Sequence, residues 1–110
     1  MDFTFWLHGV LLLIIAIVFR LFRPKGINAI YGYRTKRSTK NEISWKLAND
    51  YSSKILVYFA IAFLLLQFII WIALGANETT VIVSSVVLAA SLPIIILMTE
   101  NYLSKNDSSE

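Results

Sequence analysis

Apolar residues in this chain fall into three long runs, and the polar ones gather into one stretch between the first and second. Residues 3–19 carry no charge, and Leu21 and Phe22 extend that run past Arg20, whose long side chain can snorkel to a polar boundary. Residues 55–74 hold Gln67 as their one strongly polar member, and residues 81–98 are softened by Ser84, Ser85, Ser91 and Pro93. A helix of a soluble core keeps a polar face at the 3.6-residue period, and none of these runs has one. At about 1.5 Å of rise per residue, each run nearly or fully crosses a hydrocarbon core of roughly 30 Å. The pattern predicts an all-α integral membrane protein with a single membrane domain over residues 1–110. Its spans lie at about 3–22, 55–75 and 80–98, its loop at 23–54, and a short disordered tail at 101–110.

The polar stretch has its own signals. Pro24 removes a backbone donor and Gly26 permits a positive φ, so the first helix stops and the chain turns there. Thr39-Lys40-Asn41-Glu42 has the order of a capping box, a hydroxyl facing the third amide and a carboxylate reaching back, so a helix starts near Lys40. On that helix Ile43, Leu47, Ala48, Tyr51 and Ile55 recur at spacings of three and four, while Lys46, Asn49 and Asp50 lie mostly elsewhere. This predicts a cytoplasmic amphipathic helix between spans one and two. Its lysines face anionic lipid headgroups, each contributing about 1 kcal/mol near such a surface.

Composition agrees with a bilayer protein: 57% of the residues are hydrophobic and 15% charged. Cysteine is absent, which excludes a disulfide framework, a thiolate metal site and a cysteine nucleophile. The net charge of +3 comes from Arg20, Arg23, Lys25, Arg34, Lys36, Arg37, Lys40, Lys46 and Lys54, all between the first two spans, with Lys105 after the third. Basic residues stay on the cytoplasmic side, so the N-terminus is expected outside and the loop and C-terminus inside. The first run has no basic leader before it and ends in bulky residues rather than a small-residue cleavage site, so it reads as a retained span. Trp6 and Trp71 near the outer ends and Trp45 in the loop suit interfacial belts.

Candidate chemistry is confined to binding. No Asp, Glu, Lys or Arg lies mid-span, and no nucleotide loop or catalytic triad is present, so neither enzyme, cofactor, metal centre nor direct nucleic-acid contact is expected. His8 has no second histidine to complete a metal site or a proton relay. Asn77-Glu78-Thr79 matches a glycosylation acceptor only formally. Gln67 should hydrogen-bond across a helix interface, and Ser85 with Ala89 forms a small-residue pair suited to close packing within the chain or to a homo-oligomer. The loop carries the most distinctive pentad, Tyr31-Gly32-Tyr33-Arg34-Thr35. An Arg fork matches phosphate or carboxylate, and flanking tyrosines stack on it or sit at headgroup level. The pentad is either an anion or headgroup contact, or an intramolecular clamp from Arg34 onto Glu42 or Glu100.

The pentad, followed by Ser38, Asn41, Trp45, Ala48-Asn49 and Tyr51-Ser52, resembles the signature of the SdpI/YfhL family of small bacterial membrane proteins, over roughly residues 27–75. The chain is similar to a short form of that family containing its shared region. The resemblance implies immunity of a producing cell against a membrane-active toxic peptide, and retention of a cytoplasmic repressor at the membrane. Tyr31, Gly32, Tyr33, Arg34, Thr35, Asn41, Trp45 and Asn49 are then the candidate contacts for a partner or headgroup. The alternatives are a small oligomeric permeation or export component, or a structural subunit of a membrane complex.

Overall fold

The computed structural model describes residues 2–106. They form three helices, α1 (Asp2–Leu21), α2 (Glu42–Leu74) and α3 (Glu78–Asn106), with no strand among the described residues. All three are long and apolar enough to cross a membrane. The fold is all-α, and the chain is a multi-pass membrane protein.

Two boundaries depart from the sequence pattern. The expected interfacial helix is not a separate element, because α2 runs without interruption for 33 residues from Glu42. No Pro or Gly lies inside that stretch to break it. Of the expected apolar stripe Ala48 and Ile55 are buried, but Ile43 is 62% exposed, and the buried face of the first turns is completed by Ser44, Trp45, Asn49, Ser52 and Ser53. The cap also moves. Asn41, in an extended conformation, accepts from the Ser44 amide at 2.8 Å, whereas the Thr39 hydroxyl turns back to donate to the Thr35 carbonyl at 2.8 Å. At the other end, α3 continues through Pro93 to Asn106, so residues 101–106 of the expected disordered tail are helical, and residues 107–110 lie outside the described residues.

The connection from α2 to α3 is a tight hairpin. Gly75 adopts φ +81 and donates its amide to the Trp71 carbonyl, ending α2. Asn77 then caps α3: its Oδ1 accepts from the Thr80 amide at 3.0 Å while its own amide donates to Thr80 Oγ1 at 2.9 Å. The N-terminus of α1 shares this hairpin end, where Trp6 lies against Trp71 with ring centroids 6.2 Å apart. The 22–41 connection and the end of α3 form the opposite, loop end.

Packing is inverted relative to a soluble bundle. Among the described residues the buried set holds as many polar side chains as hydrophobic ones, while large aliphatics such as Leu65, Ile69 and Ile72 are more than 60% exposed. Hydrocarbon rewards this arrangement, because an apolar tail solvates leucine as well as a neighbouring helix does but offers a hydroxyl or amide nothing. Helix α1 closes on α2 at Gly9, where an added Cβ would overlap Gln67 Oε1 and lie 2.7 Å from Leu64 Cδ2. Beside it the fully buried Gln67 donates through Nε2 to the Phe5 carbonyl at 2.7 Å. Tyr51 and Tyr102 stack between α2 and α3, with centroids 4.1 Å apart. Helices α1 and α3 meet near the hairpin end, where His8 Nε2 and Ser85 Oγ are 2.8 Å apart and Ser85 donates onward to the Val81 carbonyl at 2.9 Å. Ala89 lies on an exposed face of α3, and it is Ser84 that is buried.

Candidate functional site

At the loop end, the chain leaving α1 folds back across the bundle. Arg23 Nη1 donates to the Arg20 carbonyl at 2.7 Å, satisfying one of the carbonyls left over at the helix terminus. Pro24 follows, and the chain bends at Lys25 and Gly26. Gly26 does not use positive φ; among the described residues that conformation belongs to Gly32 and Gly75. Asn28 organises the next turn, its Oδ1 accepting from the amides of Ile30 at 2.9 Å and Tyr31 at 2.7 Å, the self-templating turn that Asn favours.

The pentad then runs as a strap over all three helices. Tyr31 begins on α1, with its ring edge-on to Phe19 and its hydroxyl donating to the Phe22 carbonyl at 2.9 Å. Gly32 crosses α2 at φ +110, so close that a Cβ would lie 2.6 Å from Pro24 Cγ and 2.7 Å from Asn49 Oδ1. Tyr33 reaches α3, where its hydroxyl lies 2.7 Å from Glu100 Oε2 and 3.3 Å from the Ile96 carbonyl. Thr35 Oγ1 donates to the same Glu100 oxygen at 2.7 Å, and Arg37 Nε lies 3.5 Å from Oε1. Burial first, then the hydrogen bond to Glu100 and its negative charge, hold the Tyr33 phenol well above the usual tyrosine range. It therefore remains a donor across the physiological pH range.

The underside of the strap is held by α2. Asn49, 1% exposed, accepts from the Tyr33 amide at 2.7 Å and donates to the Trp45 carbonyl at 3.0 Å. Trp45 is fully buried and donates from Nε1 to the Pro24 carbonyl at 3.1 Å. Ser38, also fully buried, closes the far side by donating to the Tyr33 carbonyl at 3.1 Å and accepting from the Thr35 amide at 2.8 Å. Beside the strap, Arg20 donates to Asp50 Oδ1 at 2.8 Å and Arg23 Nε lies 3.8 Å from the same atom. These exposed ion pairs contribute little, of the order of 0–1 kcal/mol each.

Seven of the eight loop residues singled out from sequence thus meet in one constellation, with Asn41 apart from it as the helix cap. Most are occupied internally. The carboxylate clamp exists at Glu100, but Tyr33, Thr35 and Arg37 make it. Arg34 is exposed and donates from Nε to the Asn28 carbonyl at 2.6 Å, leaving its Nη groups with no hydrogen bond to protein among the described residues. Glu42 is the first residue of α2 and takes no part in that clamp. Asn28 and Asp50 are the positions that sequence reasoning did not single out for the strap, and Ser38 stood in the family signature without an assigned contact. Asn28 carried a local signal, a turn-forming Asn between Gly26 and the pentad; Asp50 carried none, its partner Arg20 lying 30 residues away. Among the described residues no group of three or more His, Cys, Asp or Glu side chains is placed to hold a metal ion.

The strap's residues fall inside a match to the model of the SdpI/YfhL protein family, which covers residues 25–98. The chain is also 45% identical over 49 residues to YfhL, an uncharacterized protein of Bacillus subtilis strain 168, a match that spans 44% of this chain and 44% of that protein. No solved structure matches the chain. With most of the chain inside the family match, including the whole strap and the helix that holds it, this protein belongs to the SdpI/YfhL family.

Proposed function

We propose that this protein acts by binding rather than catalysis, protecting a bacterial cytoplasmic membrane against a membrane-active toxic peptide, with the strap as its contact surface. The observation that carries the reading is the unequal use of the strap's polar groups. Tyr31, Tyr33, Thr35 and Asn49 are spent on holding the three helices together, whereas Arg34 stands exposed with its Nη donors directed to no protein group among the described residues. A rigid mount with one free planar fork suits recognition of a carboxylate or phosphate, since little side-chain or loop ordering is left to oppose binding. In this reading the strap and the C-terminus lie on the cytoplasmic side, as the bias of basic residues toward the loop supports. There the exposed Lys36 and Arg37 offer a surface to an acidic cytoplasmic regulator or to anionic headgroups.

The test is survival of a sensitive bacterium challenged with an SdpC-type toxic peptide, comparing empty vector, the intact chain and Arg34→Ala at matched membrane levels. The intact chain is expected to protect and Arg34→Ala to lose most of that protection. Equal protection by both would remove Arg34 from the mechanism, and no protection by either would remove the immunity reading. The rival reading, an oligomeric permeation or export component built on Ser85 and Ala89, has one fewer residue to offer, because Ser85 is engaged by His8.

A further inference from the structure

Beneath the strap lies a groove of about 570 Å³. Its walls are Ile14 and Val18 of α1 and Leu92 and Ile96 of α3, and its floor is Ser52 and Leu56 of α2. The volume falls within the roughly 300–1,000 Å³ typical of sites for small molecules. Two features fix how it can be entered. At the loop end Tyr31, Gly32 and Tyr33 line it as a roof, tied by hydrogen bonds from α1 to α3. Toward the hairpin end α1 and α3 come together at His8 and Ser85. Between these closures the two helices part, and Ile14, Leu92 and Ile96 at the rim are each 45–52% exposed. The mouth is therefore lateral, facing the hydrocarbon, so an occupant must come from the bilayer.

The floor supplies the second observation. Ser52 is 2% exposed, and its hydroxyl has no hydrogen-bond partner among the described residues, although Ser53 beside it donates to the Asp50 carbonyl at 3.0 Å. Buried hydroxyls are ordinarily paired, and an unpaired one beside an otherwise apolar groove marks where an acceptor belongs. We infer that the groove holds the carbonyl-proximal part of one acyl chain of a glycerophospholipid from the leaflet at the loop end. A χ1 turn of Ser52 then lets its hydroxyl donate to the ester carbonyl. The depth agrees with this assignment, since residues 14–18 rise by only about 6 Å along α1, the length of the first few methylenes. The strap holds the groove shut on the aqueous side, so the lipid sits as a wedge between α1 and α3.

The test is photo-crosslinking of the full chain in vesicles of phosphatidylethanolamine and phosphatidylglycerol doped with phosphatidylglycerol carrying a diazirine close to one ester carbonyl. Adducts are expected several-fold more often on Ile14, Val18, Leu56 and Ile96 than on Leu97 and Tyr58, lipid-facing controls near the same depth with exposures of 69% and 62%. Ile96→Trp, which fills the groove, should suppress labelling of Val18 and Leu56 without changing that of Leu97 or the helix content. Ser52→Ala should lower groove labelling in the same way. Even labelling of groove and control positions, unmoved by Ile96→Trp, would reduce the contact to ordinary annular lipid and overturn the inference. Crosslinks from groove residues to a second copy of the chain would overturn it in favour of a self-interface. The result is independent of toxin protection: a chain that protects but does not load the groove sinks this inference alone.

Discussion

Gly32 is the residue on which the strap closes most tightly. It carries two separate penalties against a side chain, a φ of +110 and a Cβ position within 2.7 Å of both Pro24 and Asn49. Gly75 carries only the first, since at φ +81 its Cβ would meet open space. Replacing Gly75 by Ala should therefore cost about 1–3 kcal/mol, the order expected for a residue forced into a glycine-only conformation. Gly32→Ala should cost clearly more, because Pro24 and Asn49 must also move. Unfolding in detergent checks the difference, with Trp45 emission as a local reporter in a Trp6→Phe, Trp71→Phe background. Equal stability of the two variants and an unshifted Trp45 emission would mean that the strap accommodates a methyl group. The pentad stood out in the sequence as the most distinctive stretch of the loop, while the positive φ expected at Gly26 falls instead on Gly32. What the sequence did not disclose is that Trp45 and Asn49 are buried and hold the strap from below. Their bonds to Pro24 and Tyr33 cross 21 and 16 residues, and no local periodicity records a pairing at that range.

Between elements, the α1–α2 contact depends on a missing side chain. Gly9 lets Gln67 and Leu64 approach the α1 backbone, and Gln67 uses that approach to reach the Phe5 carbonyl. Gly9→Ala is expected to weaken the bundle by roughly 1–3 kcal/mol through overpacking. Combining it with Gln67→Ala should cost less than the sum of the two single changes, because the obstructing amide is then gone. A double-mutant cycle measures this directly, and strict additivity would mean that Gly9 and Gln67 act independently. That Gln67 would serve as a polar contact in lipid followed from its position mid-span; its partner, the Phe5 carbonyl, did not, since Gly9, which opens the way to it, reads as one more small residue in an apolar run. The continuity of α2 had a visible signal, the absence of any breaker from Glu42 to Leu74. The charged residues near its start argued for a separate surface helix, but a helix needs a reason to stop, and none was there.

For the whole molecule, three spans could be counted because length against bilayer thickness is a strong constraint. Their arrangement could not, because lipid gives the apolar faces no preferred side and leaves small polar contacts such as His8 with Ser85 to decide it. The orientation proposed from the basic loop can be tested cleanly because the chain has no cysteine of its own. Single cysteines at Lys36 and Ser104 should react with an impermeant maleimide only after the cells are opened. One at Glu78 should react in intact cells. The reverse pattern would invert the topology and place the strap outside. The unbroken course of α2 gives this topology a mechanical meaning. At 33 residues it is about 50 Å of rod, with no hinge between the strap at one end and the tryptophan pair at the other. A stiff rod pivoted in a fluid sheet turns a tilt at one end into a sideways displacement at the other, so whatever grips the strap on one face of the membrane is felt as movement on the opposite face.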